Sequence, residues 1–178
     1  MKTITTNIYT FNELNKEAQS KAIENWRNNE EDYYPLWSDA EKTMKAFARE
    51  VGIDIVDYSI DYDSTSRSYI KYDFCSDLEL LNGKILAKEL RVLMSDYITD
   101  PFKLTGYFLD QEIMRPIQDY CTGIADINTH ASDVIDMCLD AFIKAVIDDA
   151  ESLNTDEAIK ETLEVNEYEF YENGNIYY

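Results

Sequence analysis

Fifteen carboxylates and only two bases, Lys144 and Lys160, occupy residues 119–178. Charged side chains resist burial unless they are paired. A helix in this stretch must therefore keep its acids on one side and bury a narrow apolar stripe on the other. Asp133–Leu153 meets that condition. Ile135, Cys138, Leu139, Phe142 and Val146 share an inward face, while Asp133, Asp136, Asp140, Asp148 and Glu151 form an i, i+3, i+4 series interrupted by Lys144. The charge is uneven along the whole chain: net −2 over residues 1–52, −4 over 53–63, −1 over 64–118 and −13 over 119–178, for a total of −20. Such a surface attracts cationic grooves and repels nucleic acid.

A chain of 178 residues with 45% apolar content is expected to form one domain, 1–178, with a substantial core. Cys75, Cys121 and Cys138 are odd in number and lack CxxC spacing, so reduced thiols in a cytosol are expected. Met1–Thr10 has no secretory-signal pattern, and no apolar run reaches membrane-spanning length; even Ala141–Ile147 contains Lys144. Fourteen tyrosines beside five glycines suit an interface, because Tyr pairs a large apolar face with a polar tip.

Periodicity predicts an α+β fold, with a largely antiparallel sheet and helices packed on it. Thr3–Tyr9 alternates as a first strand. Thr10-Phe11-Asn12-Glu13 is a capping box ahead of a helix that buries Leu14, Ala18, Ala22, Ile23 and Trp26. Ser38-Asp39-Ala40-Glu41 repeats the capping signal before Met44, Phe47, Ala48 and Val51, and Gly52 stops that helix. Val56–Asp63 reads as a strand with Val56, Tyr58, Ile60 and Tyr62 on one side and Asp57, Ser59, Asp61 and Asp63 on the other. Ser68–Phe74 returns as its hairpin partner. Gly83–Met94 is helical through Leu86, Leu90, Leu93 and Met94. A short helix near Glu112 and a strand near Tyr120–Ile127 are expected in the less patterned middle. A last helix covers about Asp156–Val165, and Asn173-Gly174 marks a hairpin turn.

Ile8-Tyr9-Thr10-Phe11-Asn12-Glu13-Leu14, continuing through Ala18, Ala22-Ile23 and Trp26-Arg27, resembles the opening of a family of small acidic phage and prophage proteins. Asp156-Glu157-Ala158-Ile159, Glu161-Thr162-Leu163-Glu164 and Asn166-Glu167-Tyr168-Glu169-Phe170 resemble its closing signature. The resemblance covers about a third of the chain. It fails after the Asp-rich strand, where Asp63-Ser64-Thr65-Ser66 replaces a Gly-containing turn. It implies a counter-defence role, such as inhibition of the RNA-guided nuclease of type II CRISPR systems.

Catalytic constellations are poorly supported. Cys121, Asp126 and His130 match no nucleophilic spacing, and a packed Cys beside a surface His is the expected arrangement. Asp61, Asp63 and Thr65 open like a calcium loop, but Ser66 and Tyr72 stand where Gly and Glu are required. One His and three scattered Cys do not make a zinc set, and no phosphate loop is present. The expectation is a protein without enzymatic activity, cofactor or metal. Its partner is a basic nuclease or ribonucleoprotein whose nucleic-acid channel it blocks, with no direct binding to nucleic acid or membrane. The contact residues expected are Asp133, Asp136, Asp140, Asp148, Asp149 and Glu151, with Asp57, Asp61 and Asp63 as a second patch and Tyr58 and Tyr62 as its neighbours across the strand edge. A metal-dependent enzyme centred on Asp61/Asp63 and an antitoxin neutralising a basic toxin are the alternatives.

Overall fold

Apolar stripes at helical spacing become seven α-helices among the described residues: α1 (Lys16–Arg27), α2 (Tyr34–Val51), α3 (Gly83–Leu93), α4 (Ser95–Thr99), α5 (Phe108–Thr122), α6 (Ala131–Leu153) and α7 (Asp156–Val165). Four strands accompany them: β1 (Tyr9–Thr10), β2 (Ile53–Ser59), β3 (Tyr69–Phe74) and β4 (Glu169–Phe170). They pair antiparallel as β1 with β4 and β2 with β3, so the fold is α+β, as expected, with its sheet in two short pieces. The computed structural model describes residues 7–28, 34–62, 65–100, 102–123, 126 and 128–177. The chain divides into two compact units, Met1–Tyr34 with Ala150–Tyr178, and Pro35–Asp149.

In the first unit, Phe11, Leu14, Ala18, Ala22, Ile159, Leu163 and Phe170 form the core. Thr10 and Glu13 do interact, the Glu13 carboxylate accepting from the Thr10 N–H at 2.8 Å and its hydroxyl at 2.9 Å. They close a 3-10 turn at Phe11–Glu13, however, and not α1. The cap of α1 is Asn15, whose side chain accepts from the Ala18 N–H at 3.0 Å. Of the strand expected over Thr3–Tyr9, residues 3–6 lie outside the described residues, and pairing begins only at Tyr9. The turn at Asn173-Gly174 is present, with Gly174 N–H donating to the Tyr171 carbonyl and Phe170 bridged to Ile176. Gly174 is required twice over. Its φ is +82°, and a Cβ there would sit 2.2 Å from the Ala18 carbonyl oxygen.

In the second unit, apolar residues of α2, α3, α5 and α6 form one core, against which the inner side of the β2–β3 hairpin packs. Ala40, Met44, Phe47, Ala48 and Val51 of α2 are buried, and Gly52 ends the helix with φ +70°. Ser38 is not the N-cap expected. It lies inside α2, which starts four residues earlier with Pro35 in its first turn, where a missing N–H costs nothing.

Along β2, the register shifts between Ile55 and Asp57, so Val56 is an extra, bulged residue. The bulge turns Val56 outward, 56% exposed, against the strict alternation expected, while Ile53, Ile55, Tyr58 and Ile60 keep to the core side. β3 alternates as expected. α3 buries Leu86 and Leu90, and Met94 just after it is also buried, but Leu93 is left 43% exposed. The strand expected near Tyr120–Ile127 is corrected: Tyr120–Thr122 are the end of α5, and residues 124, 125 and 127 lie outside the described residues. Pro116 inside α5 masked this helix, since proline there removes one backbone hydrogen bond. α6 and α7 match the periodicity read from the sequence, with Ile135, Cys138, Leu139, Phe142 and Val146 all buried.

Candidate functional site: the acidic face of α6

α6 is positioned by its apolar stripe, so its other side must face water. Asp133, Asp136, Asp140 and Asp148 are all exposed on that side, with Lys144 among them. From Asp133 to Asp148 the helix rises about 22 Å, in steps of about 4.5–6 Å between neighbours three or four apart. The face is not a row of equivalent charges. Asp133 accepts from the His130 N–H at 2.8 Å and so closes the first turn of its own helix. Asp136 accepts from the Tyr72 hydroxyl at 2.9 Å, tying α6 to β3, and burial with this carboxylate raises the Tyr72 phenol well above its ordinary pKa. Asp148 pairs with Lys144 one turn away. Asp140 has no hydrogen bond or ion pair among the described residues, and is the most available charge of the series.

Asp149 does not belong to this face. On a helical wheel it falls about 100° from Asp148, and it is half-buried, with burial raising its carboxyl pKa. Glu151 is exposed and falls in the other compact unit.

The second patch is largely neutralised. Asp57 on the outer side of β2 accepts from Lys71 Nζ at 3.2 Å and the Tyr69 hydroxyl at 3.1 Å, and these two donors lower its pKa. Asp61 pairs with Arg67 at 2.8 Å, and Asp63 lies outside the described residues. Tyr58 and Tyr62 lie on the side opposite the aspartates, as the alternation predicts, and both pack against the core. Tyr58 lies against Trp37, with ring centroids 5.3 Å apart, and donates to Glu41 at 3.1 Å. The strand chemistry thus splits between an outer face, where Asp57 is paired but exposed Asp54 and Asp73 stand opposite each other, and an apolar inner one.

Cys121 is buried among apolar side chains, and that burial raises its thiol pKa, the reverse of what a nucleophile needs. No group of three or more His, Cys, Asp or Glu side chains among the described residues is arranged to hold a metal ion.

One carboxylate escaped notice in the sequence. Asp110, 0% exposed, accepts from the Thr105 N–H at 2.7 Å, the Gly106 N–H at 2.9 Å, the Thr105 hydroxyl at 2.6 Å and the Thr43 hydroxyl at 3.2 Å. It anchors the loop before α5 to α2. The only local signal is the position of Asp110 in the first turn of α5, where a carboxylate suits the free N–H groups.

The fold and this face define an α+β protein with a solvated acidic helix and a partly neutralised hairpin. No family model, no curated relative and no solved structure matches the chain. No helix among the described residues is long and apolar enough to cross a membrane.

Proposed function

We propose that this protein is a non-enzymatic acidic binder that occupies the nucleic-acid channel of a basic partner in the cytoplasm of a bacterial host. The observation that carries the reading is the solvated α6 face: four exposed aspartates spread over about 22 Å of helix, in a chain of net charge −20. A field of that sign concentrates cationic surfaces and speeds their encounter. The same sign disfavours direct binding to DNA or RNA, where phosphate neutralisation supplies most of the affinity. The resemblance of both ends of the chain to small acidic phage proteins points to a defence nuclease as the partner, with the type II RNA-guided nuclease first in line. Neutralisation of a basic toxin would use the same face and is told apart by its target.

The test is DNA cleavage by a purified type II RNA-guided ribonucleoprotein with increasing amounts of this protein. Expected is inhibition that saturates near equimolar protein, is competed by excess nucleic acid and weakens as salt rises, because exposed charges are screened beyond about 8–10 Å at physiological ionic strength. Reversing Asp140 and Asp148 to Lys should abolish inhibition while the fold survives. Asp136 is spared because it holds the Tyr72 hydroxyl. The matched control reverses the exposed Glu17 and Glu24 of α1. Equal loss from both pairs would assign the effect to general acidity, and no loss from Asp140/Asp148 would end this reading of α6.

A further inference from the structure

Among the described residues of the second unit, the most exposed large apolar side chains, Leu80, Val92 and Ile85, lie on α3 and the 3-10 turn before it. Once Leu86 and Leu90 face the core, helical geometry leaves Ile85, Glu89 and Val92 on one outward stripe at i, i+4 and i+7. Ile85 is 62% exposed and Val92 67%. Beside this stripe, the turn at Asp77–Leu80 stands off from α3 and leaves an open groove of about 390 Å³. Leu78, Leu81, Ile85 and Leu93 supply its apolar lining; Asp77 and Glu89 are the only charges that line it among the described residues. Lys84 and Lys88 also lie on α3 but are not among the lining residues.

We infer that this groove seats an amphipathic helix from another protein, one whose apolar anchors are flanked by Lys or Arg. The four apolar side chains suit apolar anchors, and the two carboxylates favour a basic flank over an acidic one. Ile85 to Leu93 extends about 12 Å along α3, which matches the span of side chains at i, i+4 and i+7 on a docked helix. A second copy of this chain is a poor occupant, because it would bring another −20 of like charge to the contact. The inference stands independently of the α6 face, which has no part in the groove.

The probe is a synthetic helical peptide with leucines at i, i+4 and i+7 and lysines beside the first and last of them. It is titrated into the full chain with amide chemical shifts and fluorescence anisotropy as readouts. Expected are shifts centred on Leu78, Leu81, Ile85 and Leu93, and no binding by the same peptide with glutamate in place of lysine. Ile85→Asp should weaken binding at least about tenfold, since truncating a central anchor removes much of an interface's energy. Asp77→Asn combined with Glu89→Gln should weaken it a few-fold and flatten its salt dependence. These side chains are outside the core, and unchanged circular dichroism of each variant would confirm that the fold is kept. The Asp140/Asp148 reversal should leave peptide affinity within about twofold, which separates this groove from the α6 reading. Shifts confined to α6, equal binding by the glutamate peptide, or indifference to Ile85→Asp would overturn the inference. Ile85-dependent dimerisation of the chain would overturn it in favour of a second copy.

Discussion

Replacing Asp110 tests whether a single buried carboxylate holds the loop before α5 in place. The wild-type side chain, with no solvent exposure, accepts four hydrogen bonds, two from backbone N–H groups and two from threonine hydroxyls. In Asp110→Ala the hydroxyls of Thr43 and Thr105, already 3.0 Å apart, can satisfy each other. The Gly106 N–H keeps a second acceptor, the Phe102 carbonyl at 2.9 Å, but the Thr105 N–H loses its acceptor, at about 1–3 kcal/mol when left unsatisfied. A loss of about 1–3 kcal/mol is therefore expected. For a chain of this length that lowers Tm by about 2–12 °C. Asp110→Asn can turn its oxygen to the two N–H groups and its amide to the two hydroxyls, so it should cost about half as much. Urea denaturation followed by tryptophan fluorescence measures both. Trp37 lies in the same compact unit as Asp110 and Trp26 in the other, so a Trp26→Phe background isolates the relevant transition. An Asp110→Ala loss below about 1 kcal/mol, or Asn as damaging as Ala, would refute the reasoning from unsatisfied donors.

Gly174→Ala should destabilise by more than about 2 kcal/mol, read from a urea midpoint, because a Cβ at φ +82° would meet the Ala18 carbonyl oxygen at 2.2 Å. The Glu41 carboxyl pKa is lowered below its ordinary value, first by its bond to Lys45 and then by the Tyr58 hydroxyl. A depressed carboxylate stabilises above its unfolded pKa and loses that contribution as pH falls through the folded one. Glu41→Gln should therefore cost under about 1 kcal/mol at neutral pH, with the difference vanishing on the acid side of pH 4.5, checked by thermal melts across pH. Of the three free thiols, only exposed Cys75 should react with a thiol reagent in the native protein. Cys121 and Cys138 should follow only after unfolding, as counted by absorbance or intact mass.

What the sequence determined by itself is what depends on spacing along one element. An apolar residue every three or four positions made α6, α7 and α3 legible, and alternation made the β2–β3 hairpin legible, because each pattern states which side of that element must leave water. Gly52 and Gly174 were legible for a similar reason: both adopt the positive φ that other residues resist. α5 was obscured by Pro116, and α2 by a capping signal at Ser38 that lies inside the helix. Asp133 and Asp148 find their partners within one turn of α6, but the fate of other carboxylates was decided only by the tertiary structure. Asp57 is balanced by Lys71 fourteen residues away, Asp136 holds a hydroxyl sixty-four residues away, and Asp110 is enclosed with Thr43 sixty-seven residues away. The bulge at Val56, which turns two successive side chains outward, likewise depends on how β2 pairs with β3. Periodicity is a property of one segment, whereas desolvation and hydrogen bonding depend on what the fold brings against a charge. The sequence therefore marked α6 as an acidic helix, and the tertiary structure left Asp140 and Glu151 on it facing solvent with no bonding partner among the described residues.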